Sequence, residues 1–483
     1  METDKVIKAG IGYTIGNYFL KGLSFFTIPI FARVLSTEDY GVVNIFGAYE
    51  GFLFVIVGLA IHSSFKNARY KYRYESEGAI TGKDYGTYVS NSYLLICINA
   101  GLWLTLAFVF SSFWIGVLKI NTFLIILLVV NSTANAIVTA YNSDASLNYE
   151  YKKFLKISYF NAIGNIVCSL VLMFTVFKDE RYEGRIVGTV LPITFASIYI
   201  LIKQFIEKKP KNFSSMMRWG VKYSIPIVPH GISQIVLSSF DRIMIGNMVS
   251  PDAAGVYSFA YNVFVILQVT ATSIDAVWNP WFYEQREVQD FASIKRVSSI
   301  YILFLLVLSS IVILLSPELI KILGGIKYRE SVGCVIPIVC GGFFTFLYNI
   351  PVAVEYYHEK TNYISIATIC AACINIVTNY IFIEIYGYMS AAYTTLGTYF
   401  LYFTFHYFIA IKIEGKSLFS VRIIWGASFI ILIIALMANL TINCIVMRIL
   451  LCLFCIIVFA LYANKKIALI YKAQQKLLNR RQS

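Results

Sequence analysis

Apolar stretches about as long as a bilayer is thick follow one another along this chain almost without a break. Read between charged and turn residues, they place fourteen spans at 11–35, 40–62, 86–112, 119–141, 154–177, 184–206, 219–248, 253–281, 293–316, 332–357, 361–386, 388–413, 419–440 and 442–463. About 20 such residues carry a helix across the hydrocarbon core. Composition agrees: 58% of the 483 residues are hydrophobic, against about 45–50% in soluble domains, and mean hydropathy is +0.70. The expected fold class is an all-α polytopic membrane protein with about 14 transmembrane helices, and an ordinary soluble enzyme is excluded. The first span lacks a signal-peptide cleavage pattern and is expected to remain as a helix. The longest connection, Ser63 to Tyr85, is polar and basic and reads as a short surface segment.

The chain carries 40 Lys and Arg against 26 Asp and Glu, and the placement of the excess decides its meaning. Twenty-nine basic residues fall on the N-terminus, alternate loops and the C-terminal tail, 7 on the opposite loops, and Lys21, Arg33, Arg242 and Arg448 in or at the ends of spans. The positive-inside rule then puts both termini in the cytoplasm of a multi-pass protein of the cytoplasmic (inner) membrane. Nucleic acid is not required to explain the charge. The tail, with Lys465, Lys466, Lys472, Lys476, Arg480 and Arg481, is expected to touch anionic lipid headgroups. All nine cysteines sit in apolar runs, so Cys370/Cys373 and Cys452/Cys455, though spaced CxxC, read as packing residues and not as a metal or redox pair.

An internal repeat organises the spans. LSTEDYGVV at Leu35–Val43 recurs as VSPDAAGVY at Val249–Tyr257, an offset of 214 that also carries Asn161 and Asn165 onto Asn375 and Asn379. The same offset maps spans 1–5 onto 7–11, and six spans per repeat preserve sidedness. The expected layout is an N-lobe over 1–212 (spans 1–6), a C-lobe over 213–415 (spans 7–12), and spans 13 and 14 with the basic tail over 416–483. Two lobes related by a pseudo-two-fold axis along the membrane normal would enclose a central cavity.

Ionisable residues inside spans are expensive and mark candidate sites. Lys21 shares a helix face with Thr14, Asn17 and Ser24; span 7 carries His230, Gln234, Ser238, Asp241 and Arg242; span 8 carries Tyr261, Gln268, Thr272, Asp275 and Asn279. Such stripes are expected to face water between the lobes and a polar cargo. Lys21 and Glu50 sit at similar depth and either neutralise one another or contact cargo or an ion. Asp241 and Arg242 read as a gating salt bridge or a ligand contact, and Asp275 as a proton or cation site or a water-solvated position near the inner mouth. Arg33, beside Glu38 and Asp39, reads as an anchor at the membrane interface ahead of a phosphate ligand. Glu355, Glu384, His62 and His358 lie near span ends, where snorkelling accounts for them, and the paired asparagines read as interhelical hydrogen bonds. There is no phosphate-binding GxxxxGK[ST] loop, metal-ligand cluster or catalytic triad pattern, so neither an enzyme nor a cofactor is expected.

FARVLSTEDYGVVNIF (31–46), SIPIVPHGISQIVLSSFDRIMIGNMVSPDAAGVYSFAYNV (224–263) and CINIVTNYIFIEIYGYMSAA (373–392) resemble the polysaccharide-exporter branch of the multidrug/oligosaccharidyl-lipid/polysaccharide superfamily, over about residues 11–413. The resemblance implies a bacterial flippase for undecaprenyl-diphosphate-linked repeat units of O-antigen, capsule or related glycans. The glycan would occupy the aqueous cavity and the lipid tail the bilayer, with a glycan polymerase downstream. It also implies a cationic cavity for diphosphate, for which Lys21, Arg242 and Arg33 are the candidates, with Asn17, Gln234, Gln268 and Tyr261 beside them. Trp278 is an aromatic face for sugar stacking. Asp275, Asp241 and Glu50 are the candidates for coupling to H+ or Na+, or for gating. Two alternatives stay open: a multidrug or organic-cation antiporter of the same superfamily, and a membrane glycan polymerase. The latter resembles proteins with a larger outer loop than Pro317 to Ser331.

Overall fold

The structure, a computed structural model, describes residues 2–74 and 84–482. With no water in the hydrocarbon core, each backbone N–H and C=O must be satisfied within its own segment, and the described chain answers with helices. They are α1 (Glu2–Val34), α2 (Thr37–Gly58), α3 (Phe65–Tyr74), α4 (Tyr85–Val109), α5 (Ser111–Leu118), α6 (Thr122–Leu147), α7 (Tyr151–Thr175), α8 (Arg181–Glu207), α9 (Phe213–Ser224), α10 (Val228–Met248), α11 (Pro251–Glu287), α12 (Phe291–Leu314), α13 (Ser316–Gly324), α14 (Val332–Tyr357), α15 (Thr361–Tyr386), α16 (Ser390–Glu414), α17 (Val421–Leu440) and α18 (Ile445–Gln482). Among the described residues, fourteen of them reach 20 residues or more, and eleven helical segments are long and apolar enough to cross a membrane. Large apolar side chains such as Phe26, Ile206 and Leu440 are more than 70% exposed. A surface of that kind needs lipid against it. The side chains from Lys465 onward, and with them the expected headgroup contacts of the tail, lie outside the described residues.

Residues Met1–Gly255 and Val256–Ser483 form two compact units. The first ends past the repeat boundary at 212 because α10 packs on α2: Phe52 meets Phe240 edge to face, and the Asn247 amide donates to the Tyr49 hydroxyl at 3.2 Å. Part of the connection expected on the surface is instead packed helix. Phe65, Ala68 and Tyr72 of α3 are buried, with Tyr72 stacked on Tyr88 at 5.2 Å and edge-on to Trp219. These residues recur at i, i+3 and i+7, and Lys66 and Lys71 of the same helix are exposed. Residues 75–83 of that connection lie outside the described residues. In the second unit α14 is the buried axis, with Phe343, Phe344, Leu347 and Ile350 fully enclosed. Arg448 of α18 is also buried, donating to both Glu318 carboxylate oxygens at 2.6 and 2.7 Å and to the Leu314 carbonyl.

The repeated nonapeptide starts a helix in both places. The Ser36 hydroxyl accepts from the Asp39 N–H at 2.9 Å to cap α2, and the Ser250 hydroxyl accepts from the Ala253 N–H at 3.1 Å at the head of α11. Serine suits this position because its oxygen satisfies one of the four orphan N–H groups of the first turn. The Thr37 hydroxyl also donates to the Asp252 carboxylate, joining the two copies.

Candidate functional site

The polar interior of the first unit is built where α8 touches α7 most closely. Gly188 sits so near the backbone of Ser169 that any side chain would overlap it, and Gly184 is tight against Met173. Small residues four apart let two membrane helices approach backbone to backbone. The residue between them, Arg185, is thereby held against α7: its Nη1 donates to Asn165 Oδ1 at 2.5 Å, to Ser169 Oγ at 2.8 Å and to Thr189 Oγ1 at 2.8 Å. Its guanidinium carbon lies 3.9 Å from the centroid of Phe31 on α1, a cation–π contact.

Arg185 lines a cavity of about 290 Å³ with Thr27, Phe31, Tyr40, Asn44 and Asn165. A second cavity of about 380 Å³ shares Ala162 and Asn165 with it and continues past Asn161, Asn131, Asn135, Asn142 and Thr189. Three asparagine amides here keep a buried carbonyl oxygen without a partner among the described residues, Asn131, Asn142 and Asn161. Glu50 of α2 faces α6, where Asn135 donates to its Oε1 at 2.9 Å; among the described residues no ion pair joins it to Lys21.

The other expected residues fall into three groups. On α1, Asn17 and Lys21 are exposed while Gly16 is buried against Leu155 of α7, and Arg33 is exposed in the last turn. On α10, Gln234 is exposed, Arg242 half-buried and Asp241 buried. In the second unit, Gln268 is exposed and Tyr261 half-buried, its hydroxyl 3.4 Å from that of Tyr257. Asp275 is half-buried between neutral donors, the Tyr301 hydroxyl at 2.6 Å and the Asn349 amide at 2.5 Å. Trp278 is core, buried against Trp281, Phe282 and Tyr301, so it offers no open face for a sugar.

Two readings change. Glu355 does not snorkel: it is fully buried on α14, and its Oε1 is 2.6 Å from Nδ1 of an equally buried His406 on α16. Glu355 lies two residues before the end of α14 at Tyr357, and His406 sits about two turns inside the end of α16 at Glu414. His358, beside it in sequence, pairs outside with Glu414, which also takes Arg286 in a two-pronged ion pair. The second change is Arg185, which the loop count assigns to the outer connection. The signal was present: Asn161, Asn165 and Ser169 share one face of span 5 at spacing 4, and Arg185 and Thr189 repeat that spacing in span 6.

Both paired asparagines of the second copy bond the next helix, whereas in the first copy Asn165 accepts from Arg185 and Asn161 Oδ1 has no partner among the described residues. Asn379 donates to Asn375 Oδ1 at 3.1 Å and accepts from the Thr394 hydroxyl on α16, and Asn375 donates to Thr395. All nine cysteines are free, and among the described residues no group of His, Cys, Asp and Glu has a metal-binding arrangement.

Residues 6–286 match the model of the family described as polysaccharide biosynthesis protein. Among curated proteins, the Lsg locus putative protein 1 of Haemophilus influenzae is 20% identical over 288 residues, 58% of this chain; the match spans 66% of that relative, just under two thirds of its length. Among solved structures, the lipid II flippase MurJ in an inward closed conformation is similar with a TM-score of 0.70 and 15% identity, covering 95% of this chain and 100% of that one. An inward-facing multidrug resistance transporter of the MATE family, in the MOP superfamily, is similar with a TM-score of 0.66 and 11% identity, covering 82% of this chain and 94% of that one. The likeness to both is one of fold.

Proposed function

The chain belongs to the polysaccharide biosynthesis protein family, and from that premise we propose that it flips undecaprenyl-diphosphate-linked oligosaccharide repeat units across the bacterial cytoplasmic membrane. The movement runs from the inner to the outer leaflet by alternating access, for O-antigen, capsule or another surface polysaccharide. In this reading all fourteen long helices cross the membrane and both termini are cytoplasmic. The lobes over 1–212 and 213–415 enclose the glycan, and 416–483 adds two helices and a basic tail.

The observation that carries the reading is the family match over residues 6–286, on a fold shared with a lipid flippase. A cationic interior supports it over an organic-cation antiporter. The charged residue lining the two adjoining cavities is Arg185, with Glu50 bonded to Asn135 of the second. Lys21 and Arg242 add positive charge on α1 and α10, where a diphosphate would be met by charge-assisted hydrogen bonds. Asp275, held by neutral donors, is the proposed site for a proton or sodium ion that drives the cycle. The protein is then a transporter and not an enzyme, and its product passes to glycan polymerase machinery.

The test is a strain deleted for this protein and complemented with it. Lipid-linked repeat units should accumulate on the cytoplasmic leaflet as surface glycan disappears, and complementation should reverse both. Normal display in a strain without redundant flippases overturns the reading and favours drug antiport.

A further inference from the structure

We propose that a pocket beneath α5 in the first unit is a binding site for an acyl chain of a bilayer phospholipid. It measures about 170 Å³ and is formed by α2, α4, α5 and α6, with Phe52, Trp103, Ala107, Trp114, Leu118 and Val129 among its walls. Among the described residues no charged side chain lines it, and its surface is almost wholly apolar. Two polar groups of the lining are already engaged: the Tyr49 hydroxyl accepts from the Asn247 amide at 3.2 Å, and the Trp114 indole N–H donates to the Leu106 carbonyl at 3.2 Å. A buried water needs about two to four polar partners, so a pocket with almost none stays dry. An apolar cavity of about 150 Å³ holds benzene, and on that scale this one has room for about six chain carbons.

The short helix beside the pocket separates a ligand site from a fault in packing. α12 is followed after a single residue by the short helix α13, as α4 is by α5. α13 packs down: Ile320 and Leu323 are buried, and Glu318 is tied to Arg448. Every residue of α5 stays exposed or half-exposed, although five of its eight are large and apolar. The gap left beside Trp114 and Leu118 forfeits dispersion contacts unless something fills it. What fills it follows from the surroundings. α2, α4 and α6 are each long and apolar enough to cross a membrane, and Leu102, Phe108, Phe110, Phe113 and Val117 put exposed apolar side chains on α4 and α5. That surface needs lipid against it, and the half-buried Trp103, Trp114 and Leu118 carry it inward to become pocket wall. The pocket is thus continuous with the lipid-facing surface, where the abundant apolar material is the acyl chain of bulk phospholipid.

Trp103 and Trp114, whose rings lie 6.1 Å apart, report on the site. The experiment titrates the purified full-length protein in detergent with phosphatidylglycerol bearing brominated acyl chains, which quench indole fluorescence on contact. The quenching owed to these two residues is the difference between the native protein and a Trp103→Phe/Trp114→Phe double variant. That difference should saturate with one-to-one stoichiometry, and unbrominated phosphatidylglycerol should reverse it. Ala107→Leu keeps both tryptophans but takes the space of about three chain carbons, and it should weaken the apparent affinity about tenfold or more. Should Ala107→Leu not fold, Val129→Phe narrows the pocket from α6 and carries the same expectation. Quenching that rises without saturation, or that is unchanged in these variants, is contact with bulk lipid and overturns the proposal. Reversal by farnesol and not by the phospholipid would assign the pocket to an isoprenoid chain and overturn it equally. Because the readout is binding and not export, the outcome is independent of what the protein carries.

Discussion

Gly41 and Gly255 are equivalent residues of the internal repeat, and each lies against the other copy's helix start. A Cβ on Gly41 would overlap the carbonyl oxygen of Pro251, and a Cβ on Gly255 would overlap that of Thr37. Thr37 and Pro251 are themselves 214 apart, as the glycines are. The contact is reciprocal, in the way that a two-fold dimer interface is self-complementary. The reciprocal contact is thus built from the segment in which the repeat is best preserved.

Replacing either glycine by alanine should cost about 1–3 kcal/mol, the range for overpacking a closed contact. The obstacle is backbone, which cannot swing aside as a long side chain does. Thermal unfolding in detergent should show similar losses for Gly41→Ala and Gly255→Ala. A loss at one position only would mean that the two halves of the contact are not equivalent.

Lys21 stands on the exposed face of α1 with Asn17, away from the buried Gly16. Lys21→Ala should abolish glycan export while the protein remains inserted and abundant, because a surface side chain contributes little to the fold. Immunoblotting of membranes beside surface-glycan staining separates the two effects. Undiminished export would remove α1 from the cargo path.

Asp275→Asn keeps the shape of the side chain and removes its ability to carry a proton or bind a cation. The variant should weaken the dependence of transport on the ion gradient, read as glycan flipping in vesicles with and without an imposed proton or sodium gradient. Tyr301→Phe removes one of the two neutral donors to the same carboxylate and should alter that dependence less. Unchanged ion dependence in both would take Asp275 out of the coupling step.

Much of this architecture was legible because the bilayer simplifies the problem. A helix must be long, apolar and bounded by charge, and the expected spans fall on long helices except at 219–248, which the chain divides between α9 and α10. The serine-led helix starts and the paired asparagines were equally readable, since their partners lie nearby in sequence or recur at a fixed offset. What was not readable depended on pairs far apart in the chain. Glu355 looked like a helix-end carboxylate until His406, 51 residues on, closed over it. Arg185 counted as a loop charge because hydropathy does not tell an interfacial arginine from one held against a neighbouring helix by Gly184 and Gly188. The aromatic Trp278 failed in the opposite sense: a tryptophan suited to a sugar is equally suited to a core.

Glu318 gives a pH-dependent contribution outside the spans. Burial raises its carboxyl, but the paired hydrogen bonds from Arg448 and a backbone N–H outweigh this and hold it below the ordinary value of 4.5. A carboxyl depressed in the folded state stabilises that state above 4.5 and loses the contribution as pH falls through its folded value. The native protein should therefore melt higher than Glu318→Gln at neutral pH, and the gap should close as the pH drops below 4.5. A gap that stayed constant into acid would show that the ion pair adds nothing.

The Glu355–His406 pair sets the sharpest stability test, because both side chains are wholly enclosed and each keeps one orphan atom, Oε2 of the glutamate and Nε2 of the histidine. Tyr348 and Tyr402 rings pack at 5.1 and 4.6 Å from the imidazole, so nothing charged replaces a lost partner. His406→Phe leaves the carboxylate buried alone and should cost about 3–5 kcal/mol. Glu355→Leu leaves the imidazole with no acceptor and should cost less, since a neutral ring is cheaper to bury than a carboxylate. The double replacement removes both polar groups at similar volume and should recover most of the loss, an outcome expected of buried ion pairs and not of independent core residues. If the two single losses simply add in the double variant, the histidine and glutamate are not energetically coupled, and the short contact between them is packing alone.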